Sequence, residues 1–263
     1  MPAQMLYTAL RHDRAVVLIS LAAVIAIAWF YLLLGARFEM TTMDMGGGQT
    51  MTMAPVWTAG YAALIFLMWA IMMVAMMLPS AAPTILLVAN IARKRAAMGS
   101  GTPTAALFAL GYIVVWAGFS LIATLLQWSL DRLGVLSEAM ATQSAVVAGL
   151  VLMVAGLYQW TPLKQTCLRH CRSPLDFLVR YWREAAWGGA VIGMRHGLFC
   201  LGCCWMLMVL LFVGGLMNLL WIAALALLVL CEKTLPWGGR MSRLTGGALA
   251  VWGIVTLARA LYS

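Results

Sequence analysis

Five residues in one apolar run, M-R-H-G-L-F-C-L-G-C-C-W, put reactive groups where they are costly: Arg195, His196, Cys200, Cys203 and Cys204. Polar and ionisable side chains at membrane depth face a protein interior and mark a functional path. At about 100° per residue, His196, Cys200, Cys203 and Cys204 fall within roughly one third of a helix circumference. Such a face suits a soft-metal site or a dithiol redox site. Cys200 and Cys203 form C-x-x-C, a spacing that serves both. Cys203 and Cys204 are adjacent, so a disulfide between them would be strained. Free thiols also pack as small apolar groups, a reading that spacing alone leaves open.

Three further arrays carry soft donors. Residues 39–53 read E-M-T-T-M-D-M-G-G-G-Q-T-M-T-M and supply Met40, Met43, Met45, Met51 and Met53. Thioethers are neutral, soft ligands that select Cu(I) over hard ions. The alternative is a loop whose methionines pack on the membrane surface. In M-W-A-I-M-M-V-A-M-M-L, Met68, Met72 and Met76 repeat at four-residue spacing and share a helix face, with Met73 and Met77 beside it. They read as a thioether ladder for Cu(I) or as flexible packing. Cys167, His170 and Cys171 form C-x-x-H-C, with Lys164, Arg169 and Arg172 nearby to favour thiolates. That array reads as an inner-side receiving site or as an incidental reduced pair. Arg195 and Glu232 are expected to form an ion pair, since each alone would be costly. Lys233 needs only to snorkel to the interface.

The elements that position these groups follow from composition. The 263 residues are 64% hydrophobic and 10% charged, with a mean hydropathy of +0.95, which marks an integral membrane protein. Apolar runs of about 20 residues without two-residue alternation favour helices over a barrel. The expected fold is all-α: seven transmembrane helices in one bundle, at 15–35, 57–78, 104–129, 143–160, 187–213, 218–236 and 244–261. The whole chain, 1–263, reads as one transmembrane domain. Pro79 and Pro83 predict a kink or break after the second span, leaving 84–92 as a separate segment. An N-in, C-out arrangement puts thirteen Lys and Arg residues inside and three (Arg37, Arg132 and Arg259) outside. Residues 37–56 are then a Met-rich outer loop and 161–186 a basic, Cys-containing inner loop. The net charge of +9 is assigned to the inner face of a membrane protein rather than to nucleic-acid binding. No cleavable signal, internal repeat, nucleophile elbow, zinc-protease motif or phosphate loop is present.

Four stretches resemble a bacterial family of integral membrane proteins, uncharacterised in function and predicted to bind metal. They are M-W-A-I-M-M-V-A-M-M-L-P-S-A-A-P (68–83), L-Y-Q-W-T-P-L-K-Q-T-C-L-R-H-C-R-S-P (157–174), C-L-G-C-C-W-M-L-M (200–208) and G-G-L-M-N-L-L-W (214–221), followed by the E-K pair at 232–233. The resemblance implies an all-helical membrane protein with a metal association. With the sulfur arrays, it makes the expected function Cu(I) binding with transfer, uptake or delivery across a bacterial inner membrane. Expected partners are the lipid bilayer, the metal ion, and a copper chaperone or membrane enzyme complex. A membrane thiol–disulfide relay and an accessory subunit of a larger complex are the alternatives; only the relay would be an enzyme.

Overall fold

The computed structural model describes residues 2–35, 43–44, 50–51, 57–96, 105–137, 140–183, 185 and 187–262. Ten helices account for nearly all of it: α1 (Pro2–Gly35), α2 (Ala59–Ala96), α3 (Ala105–Arg132), α4 (Ala145–Tyr158), α5 (Pro162–Arg172), α6 (Pro174–Tyr181), α7 (Gly188–Val209), α8 (Leu211–Gly214), α9 (Leu219–Thr234) and α10 (Gly238–Tyr262). Between α1 and α2, Met43–Asp44 (β1) pairs antiparallel with Thr50–Met51 (β2), Met43 opposite Met51.

Every apolar run read as a span is helical. Five of these helices are long and apolar enough to cross a membrane, or six when α4 and α5 are taken as one span bent by 63°. The count falls short of seven for a physical reason. The 16 residues of α9 rise about 24 Å, less than the roughly 30 Å of a hydrocarbon core. The 14 residues of α4 are shorter still.

Two expectations are corrected. Helix α2 does not end at Pro79 or Pro83 but runs through both to Ala96, so 84–92 continues it. Just before the first proline, Ser80 Oγ (2.8 Å) and Tyr112 OH (3.2 Å) donate to the Met77 carbonyl. Packing against α1, α3 and α9 holds α2 as one helix through both prolines. The second concerns 161–186: read as a loop, it holds two helices, α5 and α6. Thr161 caps α5 by accepting from the Lys164 N–H, and Pro162 occupies the first turn, where its missing donor is harmless. Lys164, Cys167, Leu168 and Cys171 recur at helical spacing and are all buried. Helix α5 therefore lies against α7, and α6 against α2 and α5.

The core follows from close helix approach. Helices α3 and α7 pack together, as do α4 and α10, α2 and α3, and α1 and α2, while α9 docks on α2. A Cβ at Gly193 would fall on the Phe108 carbonyl, and one at Gly111 on the Ala190 carbonyl. Small residues at such crossings let backbones touch. Among the consequences, α3 sits close enough to α7 for Tyr112 to reach Cys200.

Candidate functional site

The site is built on the cysteine face of α7, closed by α2, α3, α5 and α9. Cys200, Cys203 and Cys204 are buried, as is His196 one turn earlier. Both Cys203 Sγ (3.0 Å) and Cys204 Sγ (2.9 Å) donate back to the Cys200 carbonyl. From α2, the Met77 sulfur lies 3.8 Å from Cys204 Sγ. Helix α3 brings Tyr112 OH to 3.0 Å from Cys200 Sγ. Helix α9 brings Lys233, whose Nζ is 2.8 Å from Cys200 Sγ and 3.1 Å from Ser80 Oγ.

Helix α5 supplies the fourth thiol. Cys171 is buried on the face of α5 that packs against α7. Cys167 packs over Gly202, where a Cβ would stand 2.7 Å from its sulfur. The array read as a separate inner-side site is thus partly merged with the α7 face. His170 is not part of it: its ring stacks on Phe199 at 4.3 Å, and Nδ1 lies 2.9 Å from the Thr166 carbonyl. His196 stands among the rings of Phe108, Tyr112 and Phe177, and its Nδ1 has no partner among the described residues.

The expected Arg195–Glu232 ion pair is not formed. Glu232 Oε2 instead accepts from Lys164 Nζ at 2.8 Å, with both side chains buried. Arg195 lies over the Tyr181 ring, its guanidinium 5.0 Å from the centroid. The correction has a geometric cause: burial of α5 places the Lys164 ammonium against α9, and Arg195 faces α6. The snorkelling expected of Lys233 is overturned as well, since it is buried and bonded to Ser80 and to a thiol.

Of the methionine ladder, Met72 and Met76 are buried, together with Met73 and Met77. Met68 and Met72 line a cavity of about 230 Å³ with Tyr31, Leu32, Met217 and Ile222 among its other walls. In the Met-rich segment, Met43 and Met51 are opposite each other in the β1–β2 pair. Met40, Met45 and Met53 lie outside the described residues.

The resting arrangement is not a preformed cage. Among the described residues, no three His, Cys, Asp or Glu side chains are disposed to hold a metal ion. The reasons are visible: two thiols are turned back onto a carbonyl, and an ammonium stands beside the third. What the site does offer is four buried thiols and a thioether, with all six cysteines of the chain free. Sequence reasoning missed Tyr112 and Ser80 altogether, and gave Met77, Lys233 and Lys164 other parts than the ones the structure places them in. For Lys164 a signal existed, the spacing of residues 164, 167, 168 and 171; for Tyr112 and Ser80 there was none.

Comparison with known proteins gives a family for the chain. Searches of curated proteins and of solved structures returned no match. One family model, described as a copper chaperone, matches residues 66–256, which include every helix that contributes to the sulfur site. The chain belongs to the PpoB2 copper chaperone family.

Proposed function

We propose that this protein is a membrane-embedded Cu(I) chaperone whose cargo seat is the sulfur cluster at Cys200, Cys203, Cys204, Cys171 and Met77. The observation that carries the reading is the cluster of three buried thiols on one face of α7, with the Met77 thioether beside Cys204 and the Lys233 ammonium beside Cys200. Thiolate and thioether sulfur suits Cu(I) and disfavours hard ions. Charge supports the same cargo. A monovalent ion held by two thiolates carries one net negative charge, and Lys233 is the positive group beside Cys200 that offsets it. The Lys164–Glu232 pair is already neutral. An uncompensated charge at this depth would be expensive.

The route to the seat runs along α2. Copper captured by Met40, Met43, Met45, Met51 and Met53 passes to Met68 and Met72 at the cavity they line, then to Met76, Met77 and Cys204. Stepwise exchange between sulfur ligands moves a tightly held ion without releasing it. Cys167 and His170, beside Cys171 on α5, serve the receiving end, and His196 borders the seat.

Copper analysis tests the proposal. Anaerobically reconstituted wild-type protein should retain Cu(I), and Cys200→Ser/Cys204→Ser should lose most of it. Equal retention by the two proteins removes the seat. One observation favours a second reading, a thiol–disulfide relay: the buried thiols Cys171 and Cys203 lie on α5 and α7, two helices that pack together. Thiol labelling separates the two, because a relay requires a reversible Cys171–Cys203 disulfide and a chaperone requires both thiols free.

A further inference from the structure

A charged cavity lies at the turn joining α9 to α10. It has a volume of about 440 Å³ and is lined by Arg172, Pro236, Trp237, Gly239, Arg240 and Arg243. That is within the size range of small-ligand sites. Three guanidinium groups share it, and no described acidic side chain lines it. Arg172 is braced in place: its Nη2 donates to the Leu235 carbonyl at 2.8 Å and to the Pro236 carbonyl. Its Nη1 would lie 3.7 Å from a Cβ at Gly239, so the guanidinium stands beside the start of α10. Arg240 and Arg243 are three residues apart on that helix and form no salt bridge among the described residues.

Their placement concentrates positive charge at one point of the fold. The first turn of a helix carries partial positive charge and prefers acidic residues, yet α10 has none there and has Arg240 instead. Adding Arg172 and Arg243 compounds the like-charge repulsion. An anion resolves both problems at once. Paired guanidinium groups match the oxygens of phosphate in bidentate fashion.

The surroundings indicate where the anion sits. Trp237 and Trp160 are exposed at this end of the fold, and Trp160 Nε1 donates to the Arg243 carbonyl. Exposed tryptophans of this kind occupy the headgroup level of a bilayer. Immediately beyond, α10 presents exposed Leu244 and Val251, an apolar track on which acyl chains can lie. We propose that Arg172, Arg240 and Arg243 form a binding site for an anionic phosphate group, supplied by a membrane phospholipid headgroup or by free phosphate. The site is separate from copper handling and does not depend on it.

The test uses full-length protein purified in detergent. Native mass spectrometry counts lipid retained on titration with phosphatidylglycerol, which is anionic, or with phosphatidylcholine, whose choline offsets its phosphate. A parallel arm measures the melting temperature with inorganic phosphate. Wild type and Arg259→Gln, a control at the far end of α10, should prefer phosphatidylglycerol. Arg240→Gln/Arg243→Gln should lose that preference, with affinity falling on the order of tenfold as two interfacial cations are removed. Both substituted side chains are exposed, so folding is preserved. Stabilisation by inorganic phosphate in wild type but not in the double variant, without a lipid preference, assigns the site to free phosphate. No binding of either probe by wild type, or identical behaviour of wild type and double variant in both arms, overturns the proposal.

Discussion

Lys164 shows how a single side chain reorganises the reading of the sequence. It is one of several cations in a stretch that reads as a basic loop, yet it is fully buried and holds Glu232 at 2.8 Å. Glu232 does need a cation, and the nearest intramembrane candidate by hydropathy is Arg195. Hydropathy could not identify the true partner, because α5 is polar in composition and only its packed face is apolar. Breaking a buried pair by removing one partner costs about 3–5 kcal/mol, since the other charge is left stranded. Lys164→Met should therefore destabilise the protein by about that amount, and Lys164→Met/Glu232→Leu should recover most of it. Arg195→Gln should have a much smaller effect, because it gives up only a contact with the Tyr181 ring. Thermal unfolding of the four proteins in one detergent checks the ranking. A larger loss for Arg195→Gln than for Lys164→Met would reverse the assignment.

At the scale of elements, the five long apolar helices were legible because each is a long apolar run, and the cysteine face was legible because helical spacing fixes it. What could not be read is which helices meet. The α3–α7 crossing depends on Gly111 and Gly193, each of which admits a facing carbonyl, and neither glycine is distinguishable in sequence from the 24 in the chain. The crossing in turn sets the distance from Tyr112 to Cys200. The same limit hid the approach of the α5 cysteines to α7, which requires α5 to fold back onto it. Gly193→Ala should force the helices apart, because the obstructing atom is the Phe108 backbone and not a yielding side chain. Overpacking of this kind costs about 1–3 kcal/mol. Copper retention should fall together with stability in that variant. Gly118→Ala on the same α3 helix, where a Cβ meets nothing within 4 Å, should leave both unchanged. Retention at the wild-type level in Gly193→Ala would show that the α3–α7 distance does not govern the seat.

For the whole molecule, the sulfur groups form an ordered series only if the chain has a defined orientation. Charge bias argues for the N-terminus inside, with the Met-rich segment at 37–56 facing outward and the arginines of α5, α6 and the α9–α10 turn facing inward. That order would let copper meet neutral thioethers first and thiolates last, so that each transfer runs toward the stronger donor. The reverse orientation would expose the thioether segment to the reducing side and make the thiol cluster the first point of capture, which inverts the direction of delivery. Cysteine placement distinguishes the two. In intact cells, Ser263→Cys should react with a membrane-impermeant maleimide above the wild-type background, and Ser100→Cys should react only after permeabilisation. The opposite pattern would keep the sulfur seat but turn the proposed path around, because the cluster is held by helix packing, whereas the direction of transfer depends on which face of the bundle meets the copper supply.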